Sequence, residues 1–94
     1  MEVEIRAKAM KNLAEIAEYL DAINTQGAGS RWLDRFFDRI TAYAKPNIQY
    51  PICRNNKLAS KGYSCIIYKK WVIAFKILRG KFVVYEVIFG PILT

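Results

Sequence analysis

Near the start of the chain Glu2, Glu4 and Arg6 alternate with Val3 and Ile5, and this period of two predicts a short strand with one wet side. The period lengthens from Lys8. Leu13, Ile16, Ala17, Leu20 and Ile23 recur at helical spacing while Glu15, Glu18 and Asp21 fall mostly off that stripe, so residues 8–23 read as an amphipathic helix. The stretch "NTQGAGS" interrupts it with two glycines and offers Ser30 as the N-cap of a second helix, from about Arg31 to Ala44. Trp32, Leu33, Phe36, Phe37, Ile40 and Tyr43 make its apolar side. Arg31, Asp34, Arg35, Asp38 and Arg39 make its outer side, where opposite charges three residues apart support the helix. A connection of about six residues makes the pair an antiparallel hairpin.

Periodicity is lost in "KPNIQYPICRNNK", whose prolines and asparagines predict a loop inside one domain. Three strand patterns follow, at 62–68, 71–78 and 81–89, joined by Lys69-Lys70 and Arg79-Gly80 at the spacing of tight hairpins. The order β-α-α-β-β-β predicts an α+β fold: a helical hairpin on one face of a small, mainly antiparallel sheet, the other face partly open. Strict alternation places Trp71, Ile73, Phe75 and Ile77 opposite Val72, Ala74, Lys76 and Leu78. In the last strand it places Phe82, Val84, Glu86 and Ile88 opposite Val83, Tyr85, Val87 and Phe89. Lys76 or Glu86 marks the open face. Both faces are apolar enough that the open one calls for a partner.

Ninety-four residues with 53% hydrophobic content fit one folded domain, 1–94, with a core of its own. No apolar run approaches a membrane span, no membrane partner is expected, and Glu2 and Glu4 stand where a secretory signal would place basic residues. The protein is expected to be cytoplasmic. Cys53 and Cys65 lack metal-ligand spacing and the chain has no histidine, so they are read as reduced thiols, buried or half-buried, with no metal or other cofactor. Charge is distributed unevenly. Residues 1–45 carry seven basic and seven acidic groups, whereas residues 46–94 carry eight basic groups and Glu86 alone, so the net +7 lies wholly in the second half. Such a field fits an acidic partner, nucleic acid or an acidic protein segment, unless it serves only as a solvated surface.

The element order, together with "KKWVIAFKI" and "VVYEVIFGPIL", resembles the RelE/ParE superfamily of bacterial type II toxin–antitoxin modules over nearly the whole chain. Many members read Gly-x-Tyr-x-Ile-x-Tyr-Arg-Ile in the middle strand and Leu-His-Gly-x-Arg at the end of the last. Here Lys70, Trp71, Ile73, Phe75, Lys76 and Ile77 stand at the first set of positions, and Ile88, Phe89, Gly90 and Pro91 at the second. Ala9, Leu13, Ile16 and "EIAEYL" resemble the family's first helix.

The resemblance implies a toxin that inhibits growth and stabilises a plasmid, neutralised by an acidic cognate antitoxin lying over the basic half. RelE-like members cut messenger RNA on the ribosome, using cationic groups and a proton donor on the meander's open face. In this chain Val72, Phe89 and Pro91 stand where such members carry arginine, histidine and arginine. The resemblance therefore leans to the ParE-like branch, whose known members bind and inhibit DNA gyrase. The alternatives are a ribosome-dependent endoribonuclease, with Tyr85 as acid and Lys76 or Lys81 on the phosphate, and a small basic RNA-binding module using Lys57, Lys61, Lys69 and Lys70. Arg54, Lys57, Lys61, Lys76, Arg79, Lys81 and Phe89 are the expected target- and antitoxin-binding residues, in a homodimer or a toxin–antitoxin hetero-oligomer.

Overall fold

A computed structural model of the chain describes residues 1–93. Its elements are β1 (Glu2–Ile5), α1 (Ala7–Ile23), α2 (Ala28–Tyr43), α3 (Asn56–Ser60), β2 (Ser64–Tyr68), β3 (Trp71–Leu78), β4 (Lys81–Phe89) and a closing 3₁₀ turn, Gly90–Leu93. The strands form one sheet in the order β1-β4-β3-β2, with β1 parallel to β4 and the other pairs antiparallel. The two long helices carry the chain over one face from β1 at one edge to β2 at the other, and the meander β2-β3-β4 then returns to pair β4 with β1. Among the described residues no helix is long and apolar enough to cross a membrane.

The helical hairpin is tighter than its sequence suggests. Ser30 does not cap α2; the helix begins at Ala28, behind Gly27 in the left-handed region at φ 90°. The cap comes instead from the preceding helix, where the Asp21 carboxylate accepts the backbone N–H groups of Gly27 and Gly29 at 3.2 and 2.9 Å. These are donors that a helix start leaves without intrahelical partners. Gly29 also lies against the Ala17 backbone, where an added Cβ would collide with the Ala17 carbonyl. The crossing of α1 and α2 needs that glycine.

Between hairpin and sheet lies the main core. Ala9, Leu13 and Ile16 of α1 and Trp32, Phe36 and Ile40 of α2 meet Ile73, Phe75, Phe82, Val84 and Val87. The Phe75 and Phe82 rings stack with centroids 4.3 Å apart, and both side chains are fully buried. Ile23, predicted on the apolar stripe of α1, remains 57% exposed because it lies at the helix end.

Three expectations are corrected on the opposite face. The loop predicted from Lys45 to Lys57 contains α3, capped by Asn55, whose side chain accepts from Leu58 N and donates to Leu93 O. This short helix presses Leu58 onto the sheet with Cys53 and Ala74, so that face is partly roofed. The cysteines are not free thiols: Cys53 and Cys65 form a disulfide across Cα atoms 4.9 Å apart. A backbone bond from Cys53 N to Tyr63 O and the Ile52–Ser64 bridge lay the loop beside β2, which brings the two sulfurs together.

The third correction concerns β4. Its register against β3 passes from Phe75↔Val84 to Ala74↔Glu86, which leaves Tyr85 as the extra residue of a β-bulge. The bulge reverses the alternation after Val84. Val87 therefore joins Phe82 and Val84 in the core beneath the helices, while Glu86 and Ile88 share the other face with Ala74. The hairpin before it suits its residues better than the sequence implies, since Arg79 and Gly80 both adopt positive φ, 51° and 75°, as a two-residue hairpin turn asks.

Candidate functional site

Tyr85, next after the inward-facing Val84, lies on the sheet face away from the helical hairpin, and the bulge adds Glu86 to that same face. Its ring stacks on that of Tyr63 with centroids 5.0 Å apart and planes 28° from parallel. Cations surround this pair. Lys76 Nζ lies 5.4 Å from the Tyr63 centroid and 5.5 Å from that of Tyr85. Lys61 Nζ is 5.9 Å from Tyr63, and the Arg6 guanidinium carbon is 5.3 Å from Tyr85. Each ring face attracts its cation electrostatically and restrains a side chain that would otherwise sample many rotamers.

Beside the rings Glu86 is 7% exposed, the only charged residue that is buried among the described residues. Two lysines compensate it: Lys8 at 2.9 Å and Lys61 at 3.4 Å. The Glu86 carboxylate, first by accepting a hydrogen bond and then by its charge, holds the Lys8 ammonium above its ordinary 10.5. Lys8 can reach it because β1 ends at Ile5, where Arg6 N bonds to Val84 O, and α1 then starts alongside the bulged half of β4. In the same place the Asn12 side chain accepts the backbone N–H of Val87 at 3.1 Å, filling a position that β1 is too short to pair.

Of the residues expected to bind, Lys61 and Lys76 enter this cluster, as does Tyr85 from the nuclease alternative. Lys81 does not. It pairs with Glu2 at 3.6 Å and Glu4 at 4.0 Å, and with Arg79 borders a neighbouring hollow over Val83. Arg54 lines a separate apolar groove of about 540 Å³ together with Ile52, Leu58, Ile67 and Val72, and Lys57 sits exposed on α3. Phe89 packs on Trp71, which in turn meets Trp32 below the helices, so it belongs to the other face. Lys69 and Arg39 flank a second ring, Tyr68, at 5.5 and 5.6 Å.

Arg6, Lys8 and Tyr63 are the members that reading the sequence by halves misses. The charge balance of residues 1–45 hides two cations that the fold delivers to the basic face. The available signal was parity: Arg6 continues the Glu2, Glu4 side of the first strand, which is the side turned away from the helices.

The arrangement has a definite chemistry. Fixed cations interleaved with aromatic rings, with two acids already paired, Glu86 with Lys8 and Lys61 and Glu4 with Arg6, make a surface that attracts anionic groups and offers rings for contact. It is less suited to proton transfer, since Glu86 is engaged by two lysines and Glu4 by Arg6, and Val72 and Phe89 line apolar surroundings. Among the described residues no group of three or more His, Cys, Asp or Glu side chains could hold a metal ion.

Residues 3–89 match the family described as ParE toxin of type II toxin-antitoxin system, parDE. No curated protein matches the chain.

Proposed function

Because this chain belongs to the ParE toxin family of type II toxin–antitoxin systems, we propose that it arrests growth by binding DNA gyrase, without cutting RNA. Family membership makes it a toxin with a cognate antitoxin as partner. The proposal adds the target, the residues and the setting. One domain, residues 1–94, acts in the bacterial cytoplasm and stabilises a plasmid, and an acidic antitoxin segment lies over the basic sheet face in a hetero-oligomer.

The observation that carries this reading is the ring of Arg6, Lys61 and Lys76 around the stacked Tyr63 and Tyr85. Tyrosine and arginine are the residue types that dominate binding energy in protein interfaces, and a one-signed field speeds encounter with an acidic partner. Arg54, Lys57, Arg79 and Lys81 extend the same sign around the rim and govern association rate more than affinity.

A second reading keeps one observation in its favour: the fold places Lys76 and Arg6 at the ring of Tyr85, so a phosphate held by the cations would lie near its hydroxyl. That is the RelE-like endoribonuclease, with Tyr85 as acid. Inducible expression in bacteria, with DNA and protein synthesis labelled separately, distinguishes the two. Early arrest of DNA synthesis supports gyrase binding, and early arrest of translation with messages cut at defined codons supports the nuclease.

A further inference from the structure

The Cys53–Cys65 disulfide joins two segments of unequal firmness. Cys65 is inside β2, paired with Ala74 of β3, whereas Cys53 belongs to the loop that leads into α3. The loop's other ties to the sheet include the Ile52–Ser64 bridge, the Cys53 N–Tyr63 O and Ser64 Oγ–Tyr50 O bonds, the burial of Leu58 and the Lys61–Glu86 pair, and Asn55 bonds to Leu93 O of the closing turn. This stretch carries Arg54, Lys57 and Lys61, three of the cations on the face assigned to binding, and Lys61 is one of the two partners of Glu86.

The disulfide is also reachable. Both cysteines line the apolar groove of about 540 Å³ that opens between the loop, β2 and β3, and Arg54 stands at the same wall. Cys65 is half-buried while Cys53 is 6% exposed. Among the described residues no Asp or Glu lines the groove. A thiolate approaching the sulfurs therefore meets the Arg54 guanidinium at the groove wall, whose charge favours an anionic nucleophile.

We propose that Cys53–Cys65 is a reversible thiol-exchange site for small anionic thiols, and that its state sets how firmly the basic segment around α3 is held on the sheet. A thiolate attacks Cys65 Sγ, forms a mixed disulfide there and releases Cys53 as a thiolate, which takes a proton. A second thiol then attacks the mixed disulfide, frees Cys65 and leaves as the oxidised disulfide of the reductant. Two electrons and two protons pass to the protein. Oxidation by the disulfide form of the same thiol runs the sequence backwards. The inference is independent of the gyrase assignment. Only the expectation that the site meets thiols in the cell rests on the cytoplasmic location.

The test uses the full chain purified without reductant, equilibrated with oxidised or reduced glutathione, alkylated with iodoacetamide and weighed. Oxidised chain should take up no label and reduced chain two. Limited trypsin digestion of each state, mapped by mass, should then show cleavage after Arg54, Lys57 and Lys61 rising by at least about tenfold on reduction, because the covalent restraint on local opening is gone. Cleavage after Arg31, Arg35 and Arg39 in α2 serves as the internal control and should change little. The C53A/C65A variant, shown to be folded by its circular dichroism, should cleave at the reduced rate with or without glutathione. Two labels in the presence of oxidised glutathione, or equal cleavage after Arg54, Lys57 and Lys61 in both states, would overturn the proposal. Neither readout depends on toxicity, so its failure is distinct from failure of the toxin's target.

Discussion

The ring of Tyr85 rests on the ring of Tyr63, and the β-bulge at Tyr85 brings Glu86 onto the same face beside the pair. In a regular strand continuing from Phe82 and Val84, Glu86 would point toward the helices. The extra residue lets both Tyr85 and Glu86 contribute to the opposite face, where Lys76, Lys61 and Arg6 gather. One irregularity in hydrogen bonding thus sets a carboxylate beside the rings and cations of that face.

Removing the Tyr85 hydroxyl separates contact from catalysis. Tyr85→Phe keeps the ring that stacks on Tyr63 and should leave growth inhibition nearly intact. Tyr63→Ala removes the ring shared by Lys61 and Lys76 and should weaken antitoxin and target binding by about ten- to a hundredfold, measured by titration calorimetry. A folded Tyr85→Phe protein without toxicity would instead assign that hydroxyl a chemical role.

Charge neutralisation should be position-dependent. Glutamine at Lys61 and Lys76 together, or at Arg6 and Lys76, should slow association with the antitoxin and flatten its salt dependence, as read by surface plasmon resonance at two ionic strengths. Glutamine at Arg31 and Arg35 on the outer side of α2 should change little. Equal losses from both sets contradict the assignment of binding to the sheet face.

The sequence carried the element order, the three meander strands and most of the core, because periodicity and turn residues report on backbone pairing and burial. Phe36, Ile40, Ile73 and Phe75 sit where their spacing puts them. It did not carry the bulge, because Tyr85 and Glu86 satisfy a regular alternation equally well and only the pairing with β3 decides between them. The Asp21 cap and the disulfide were illegible for a related reason. Both join residues whose meeting depends on how two segments pack, and neither partner is marked by its neighbours in the chain. Arg6 and Lys8 reach the site only because β1 lies beside β4.

Core truncations should track burial. Phe82→Ala removes a fully buried ring stacked on Phe75 and should cost about 3–5 kcal/mol in urea unfolding, whereas Phe37→Ala, at a position 39% exposed, should cost much less. Gly29→Ala should destabilise although it adds only a methyl group, because the Ala17 backbone must shift to admit it. A neutral Gly29→Ala result would contradict the close crossing of α1 and α2.

Stability should fall on the alkaline side. Lys8 is held above 10.5 by Glu86, and burial, aided by the charge of Tyr43, holds the Tyr50 phenol above 10.0. In both cases the folded state binds its proton more tightly than the unfolded chain. Each contribution is present below those ordinary values and is lost as pH rises through the higher folded ones. Lys8→Met should remove its part of the alkaline loss in a melting series above pH 10.0, by a small amount that added salt reduces, since the lysine is largely exposed. An unchanged alkaline profile contradicts the Lys8–Glu86 pair.

The central claim is that the sheet face binds gyrase and does not cut RNA. Its most direct test is the supercoiling of relaxed plasmid by purified gyrase, with increasing amounts of the chain and of the Arg6→Gln/Lys76→Gln variant. The account predicts that the wild-type chain blocks supercoiling at near-stoichiometric amounts, and that the variant needs at least about tenfold more. Supercoiling unaffected by the wild-type chain, with messenger RNA cut on translating ribosomes by the same preparation, would contradict it.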